Sequence, residues 1–222
     1  MKKSFAVLGL GRFGLQLVEE LSNNNADIIA IDNNIDNVTR AGELIENVFV
    51  CDTTNEQALK ELGVNNVDHA IVAFGSNLQA TILTTIILKE FGIKKITVRV
   101  DDEYYVNIMK RLGATDIVSP QKLAGIRVAN KVISDSFLDY YEITSKFVVV
   151  EISISEGIKP MTIHEVDPRN KFDVNLLLIK RDDVVFSPKG EDVIQGNDSV
   201  FVFGTRAKIN IFDQFIHSQI NK

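Results

Sequence analysis

The chain has 222 residues, 45% of them hydrophobic and 24% charged, with a formal net charge of −6. That is enough for one large or two small domains of an ordinary globular protein, and the acid excess argues against a nucleic-acid partner, which needs a basic surface. The single cysteine, Cys51, excludes an intrachain disulfide and a multi-cysteine metal site and fits a reducing compartment. The longest apolar stretch, residues 80–88, is interrupted by Thr81, Thr84 and Thr85 and is far short of the ~20 residues of a membrane span. Glycines and Arg12 fall where a signal peptide would need an apolar core, so the expected location is the cytoplasm.

From the amino terminus, apolar runs at 5–8, 28–31, 48–50, 70–74, 96–100 and 117–118 predict strands. Helical patterns at 12–22, 36–43, 56–62, 78–91 and 103–112 separate them. Short buried strands alternating with helices define βαβ units and a parallel sheet, a Rossmann-like doubly wound α/β domain. Gly63, Gly92 and Gly113 each sit just past a predicted helix, as carboxyl-terminal caps do.

The first strand runs into Gly9-Leu10-Gly11-Arg12-Phe13-Gly14, and Asp32 closes the second. This is a dinucleotide-binding fingerprint in its proper frame. Gly9 permits a tight turn, Gly11 permits close approach of a pyrophosphate, and Gly14 permits close packing of helix on sheet. The helix that begins there directs free N–H groups and a positive dipole end at phosphate, while the Asp32 carboxylate can accept from ribose hydroxyls. That carboxylate opposes the 2′-phosphate of NADP but does not rank ATP, ADP and NADH.

Ser119-Pro120 opens a further helix over 121–134, with Pro120 near its first turn. This helix and the one at 78–91 carry more apolar residues than one buried stripe needs, which predicts subunit-contact elements. The pattern then changes. A strand is expected at 147–154, a short helix at 161–166, a hairpin of strands 176–179 and 184–186 about Asp182-Asp183, a strand at 199–203 and a final helix at 209–216. We place the boundary near residue 138, giving a nucleotide-binding domain at 1–138 and a small α+β domain at 139–222.

The groups that a hydride-transfer enzyme needs are missing from the expected places. None of the three histidines, His69, His164 and His217, follows a strand end, and no tyrosine has a lysine four residues later. A small NAD-dependent oxidoreductase is therefore the alternative reading. The preferred reading is a sensor without catalytic residues, whose ligand shifts a conformational equilibrium.

GLGRFG at 9–14, Asp32, Asp52-Thr53-Thr54 after the third strand, Ala73-Phe74-Gly75-Ser76-Asn77 after the fourth, and the small carboxyl-terminal unit together resemble the regulator-of-potassium-conductance family. Within it they are similar to the cytosolic gating subunits of Ktr-type potassium uptake systems, relatives of the Trk regulators. The resemblance implies homodimers that assemble into an octameric ring beneath a membrane-embedded potassium-translocating subunit. It implies ATP or ADP, and in some relatives NAD or NADH, in the first domain. It also implies cyclic di-AMP at a dimer interface of the second.

Carried onto this chain, Gly9, Gly11 and Gly14 form the phosphate turn, with Phe13 beside them. Asp32 with Asn33 holds the ribose, Asp52 and Thr53 line the adenosine end, and Gly75 and Asn77 face the phosphates from the other half of the sheet. Arg12 is either a contact to a terminal phosphate or a surface arginine at a helix start, where the dipole disfavours a cation. Arg99 is either a second phosphate contact or an ion-pair member. Relatives that couple ATP to a divalent cation often carry a carboxylate where this chain has Gln121, and an amide supplies no charge; no metal site is assigned. Arg169, Asn175, Leu176 and Pro188 match the cyclic di-AMP pattern, against a reading as loop and core residues.

Overall fold

A computed structural model describes residues 2–75, 77–133 and 135–219. The chain divides into two compact units, Met1–Lys122 and Leu123–Lys222.

The first unit holds a six-stranded parallel sheet, β1 (Ser4–Leu8), β2 (Asp27–Asp32), β3 (Val48–Val50), β4 (His69–Val72), β5 (Lys95–Arg99) and β6 (Asp116–Val118). Its strand order is β3-β2-β1-β4-β5-β6, so the doubly wound expectation holds. Ala6 and Leu8 of β1 join the core on one face, while Val7 enters the core on the other. Alternate side chains of a strand point to opposite faces, so a strand covered by helices on both sides must be apolar throughout. The covering helices are α1 (Arg12–Asn23), α2 (Ile35–Gly42), α3 (Glu56–Glu61), α4 (Leu78–Glu90) and α5 (Val106–Leu112). Asn34, Asn55 and Asn77 cap α2, α3 and α4 by accepting from backbone N–H groups of the first turn.

Much of the apolar load of α4 is absorbed within the unit, where Thr81, Thr84, Thr85, Ile87 and Leu88 are buried. The buried hydroxyls are satisfied: Thr84 bonds Thr53, and Thr85 donates to the Thr81 carbonyl at 2.6 Å. Helix α6 (Pro120–Ile133) spans the division between the units, and Leu123, Val128 and Val132 on it are exposed. Ser134, the expected last residue of this helix, and Ser76, inside the loop motif after β4, lie outside the described residues.

The second unit is built on a five-stranded antiparallel sheet of β7 (Phe137–Glu142), β8 (Phe147–Ser153), β10 (Asn175–Arg181), β11 (Val184–Phe186) and β13 (Ser199–Thr205), in the order β11-β10-β13-β8-β7. Burial alternates along β8 and β13, and α9 (Arg206–His217) covers the apolar face with Ile209, Phe212 and Ile216. The hairpin between β10 and β11 turns at Asp182-Asp183, with Arg181 paired to Val184 and Asp182 at φ +52°. Asp tolerates that left-handed conformation better than most residues.

One expectation needs correction. Residues 161–166 are not one helix: β9 (Met161–Thr162) pairs with β12 (Val193–Ile194), and α7 is confined to Ile163–Val166. Thr162 and Glu165 form a reciprocal capping box, which starts the helix at residue 163. Strand β7 and the short helix α8 (Pro168–Phe172) also go beyond the expected elements.

Candidate functional site

The sheet reverses its winding between β1 and β4, which is where doubly wound folds bind ligands beyond the strand carboxyl ends. A cleft of ≈ 430 Å³ lies there, lined by Gly9, Gly11, Asp32, Asn33, Asp52, Thr53, Gly75, Asn77 and Arg99 among others. The chain thus brings most of the expected phosphate and ribose residues to one cavity. Gly14 stands behind it, and Arg12 and Phe13 line an adjoining hollow with Gly75, Arg99, Asp101, Pro120 and Gln121.

The glycine turn is built without slack. Gly9 adopts φ +96°, and a Cβ there would fall 2.6 Å from the Phe74 ring. A Cβ on Gly14 would lie 1.8 Å from the Gly9 carbonyl oxygen, whereas the space over Gly11 is open. Gly11 is the N-cap of α1 and offers no side-chain acceptor, so the first N–H groups of a twelve-residue helix remain available to an anion.

Asp32 is buried and already oriented. Its Oδ2 accepts from the Leu10 N–H at 2.6 Å and from the Asn37 amide at 3.1 Å, and its Oδ1 accepts from the Asn34 N–H at 2.8 Å. The carboxylate is thereby tied both to the glycine turn and to α2. Asp52 accepts from the backbone N–H and the hydroxyl of Thr54, which holds its carboxyl below the usual carboxylate range. The hydroxyl of Thr53 bonds Thr84 of α4, so this residue braces the cleft wall. Asn77 uses its side-chain oxygen to cap α4, whose amino terminus opens on the same cleft.

Arg99 forms an ion pair with Asp101. It makes two parallel bonds to Asp101, at 2.9 and 3.0 Å, and lies over the Phe13 ring at 5.7 Å. A Cβ on Gly75 would meet this guanidinium at 2.8 Å. With its amide nitrogen toward Asp101, Gln121 donates to that carboxylate at 2.9 Å and accepts from Arg99. Arg99 still lines the cleft, between the main cavity and the hollow. Arg12 is exposed at the helix start and has no ion-pair partner among the described residues.

Several lining residues carry no site role in the sequence reading: Asn37, Cys51, Thr54, Gln79 and Leu83. Cys51 immediately precedes Asp52, and burial together with that carboxylate pushes its thiol up. Adjacency to Asp52 was the available signal for Cys51 and Thr54. Asn37 looks like any polar residue in the first turn of a surface helix.

Among the described residues, no histidine lines the cleft. His69 sits at the amino-terminal end of β4, bonded to Thr97 at 2.8 Å, and His217 contacts Asp213 and the Ser153 carbonyl. Burial, with the nearby Lys95 charge, pushes the His69 pKa down. The unfolded chain then binds the extra proton first, so stability contributed at neutral pH is lost as pH falls below about 6.5 toward the lower folded value. Urea midpoints measured at pH 7.5 and 5.5 should show that loss, and His69→Gln should reduce it; an undiminished slope would contradict the assignment.

In the second unit, Arg169 is an exposed residue of α8, Asn175 and Leu176 open β10, and Pro188 lies in the loop after β11. Leu176 packs against the unit's core.

Fold and cleft together define a Rossmann-type domain shaped for a phosphate-bearing ligand, followed by a small antiparallel α+β unit. Residues 5–120 match the TrkA-N domain and residues 148–217 the TrkA-C domain. The chain belongs to the family of TrkA-type proteins that includes the Ktr potassium uptake proteins. It is 38% identical to Ktr system potassium uptake protein C of Bacillus subtilis, over 96% of this chain and 97% of that one. It is 31% identical to Ktr system potassium uptake protein A of the same organism, over 95% and 96%. Among solved structures it resembles the GsuK channel, with a TM-score of 0.70 at 14% identity, covering 97% of this chain and 40% of the channel. A GsuK structure bound to NAD gives a TM-score of 0.65 at 13% identity, covering 100% and 40%. Among the described residues no helix is long and apolar enough to cross a membrane.

Proposed function

We propose that the chain is the nucleotide-sensing cytosolic gating subunit of a Ktr-type potassium uptake system, acting on a membrane-embedded potassium-translocating partner. One observation carries the nucleotide reading: the uncapped amino terminus of α1 and the oriented Asp32 carboxylate face a single cleft. The first suits phosphate and the second suits ribose. Among the described residues no histidine, lysine or tyrosine, the usual proton donors and acceptors of a hydride transfer, lines the cleft, which favours a sensor over an oxidoreductase.

In this reading ATP or ADP is the ligand, NAD or NADH a further candidate, and Arg12 reaches a terminal phosphate, within the protomer or across a dimer. Homodimers assemble to an octameric ring, with exposed Leu123, Val128 and Val132 of α6 as contact residues. Helix α6 belongs functionally with the first domain, whose limit we put near residue 138. Arg169 and Asn175, with Leu176 and Pro188, are the residues proposed to hold cyclic di-AMP. Ligand moves the ring only by its difference in affinity for two ring states, because equal affinity shifts nothing.

The test is calorimetric titration with ATP, ADP, NAD, NADH and cyclic di-AMP separately. At least one adenosine nucleotide should bind, and Asp32→Ala should weaken it by about tenfold or more through loss of charged hydrogen bonds to ribose. Unchanged affinity in that variant would place the ribose elsewhere.

A further inference from the structure

Asp32 does not stand alone on its open side. Asn37, one turn into α2, donates its amide nitrogen to Asp32 Oδ2 at 3.1 Å, and its own Oδ1 accepts from the Arg40 guanidinium. Arg40 is also bonded through Nε to the Asp36 carbonyl at 3.4 Å. This fixes the amide orientation: the nitrogen must face the carboxylate and the oxygen the cation, since the reverse would set acceptor against acceptor and donor against donor. A buried carboxylate and an arginine are therefore separated by the width of one neutral amide. Arginine and carboxylate form strong bidentate pairs when they meet, and a carboxylate so paired has fewer lone pairs for ribose.

We infer that Asn37 is a specificity-determining residue: its amide keeps Arg40 off Asp32, leaving that carboxylate an unpaired acceptor for the ribose 2′-hydroxyl. The inference rests on the proposed placement of ribose at Asp32. The other Asp32 donors, the N–H groups of Leu10 and Asn34, are backbone groups that orient the carboxylate whatever stands at 37. The distinctive contribution of Asn37 is thus insulation from Arg40, and that can be separated from simple hydrogen bonding.

The experiment is titration of the full chain with ADP and with 2′-deoxy-ADP, in the unaltered protein, Asn37→Ala, Arg40→Ala and the double variant. The unaltered chain should prefer ADP by about tenfold. In Asn37→Ala the freed arginine pairs with Asp32, so ADP should weaken and the preference fall to within about threefold. Arg40→Ala should keep the preference, and the double variant should regain it. A preference that survives in Asn37→Ala, that is lost in Arg40→Ala, or that the double variant fails to regain would overturn the insulating role. Equal binding of both ligands by the unaltered chain would overturn it while leaving nucleotide binding intact. If the unaltered chain bound no ADP, ribose recognition at Asp32 would fail for that nucleotide, and this inference with it.

Discussion

Gly14→Ala should destabilise the protein by about 3 kcal/mol or more and abolish adenosine-nucleotide binding, the upper range for adding a methyl group to a packed site. The added Cβ would sit 1.8 Å from the Gly9 carbonyl oxygen and 2.9 Å from its carbon. Those are backbone atoms of a turn held by the Gly9 N–H donating to Ile31 at 2.8 Å, so the turn itself must move. Moving it displaces the backbone proposed to meet phosphate and the Leu10 N–H that orients Asp32. The sign is diagnostic, because a helical glycine with room around it behaves oppositely. A Cβ on Gly125 of α6 would meet nothing within 4 Å among the described residues, and Gly125→Ala should stabilise by about 0.5–1 kcal/mol. Urea denaturation of both variants checks the pair, and equal shifts of the same sign would contradict the packing argument.

The second large effect lies in the other unit. Asp198 is fully buried and accepts two bonds from Arg181, at 2.8 and 2.9 Å, and one from the Gln195 N–H at 2.9 Å. Arg181 also donates to the Val193 carbonyl at 2.8 Å, so the pair ties β10 to β12 and to the turn before β13. Asp198→Ala leaves a partly buried guanidinium unpaired and the Gln195 N–H without its acceptor. Removing one partner of a buried pair costs about 3–5 kcal/mol. Asp198→Asn, which keeps the shape and one acceptor, should cost less, about 1.5–3 kcal/mol. Thermal or urea unfolding followed in the carboxyl-terminal unit measures both, and an Ala variant within about 0.5 kcal/mol of the parent would remove the pair from the account.

The sequence made the first unit legible because its parallel strands are short, largely apolar runs, each ended by or soon followed by a glycine, a polar residue or an acid. The placement of Gly9, Gly14 and Asp32 at the strand ends was legible for the same reason, since it follows from the position of the strands. The second unit was harder. Strand β7 has only Phe137 buried and shifts register between Phe137 and Asp139, so its alternation is broken. The β9–α7 junction hides in a short segment of mixed polarity, residues 161–166, where the change of element is marked only by the Thr162–Glu165 box. At the cleft, Arg99 could be read as phosphate contact or ion-pair partner because Asp101, two residues on, is charged but uninformative until the chain folds. Asn37 escaped because a neutral amide on a helix surface carries no signal without its two neighbours.

The central claim is that this chain converts nucleotide identity into control of potassium flux. It is tested most directly by potassium flux through a Ktr-type membrane subunit in liposomes, with this chain added and either ATP or ADP supplied. Flux should depend on the chain and differ between the two nucleotides, and the difference should vanish with Asp32→Ala. Flux that is the same with and without the chain, or the same in ATP and ADP, would contradict it.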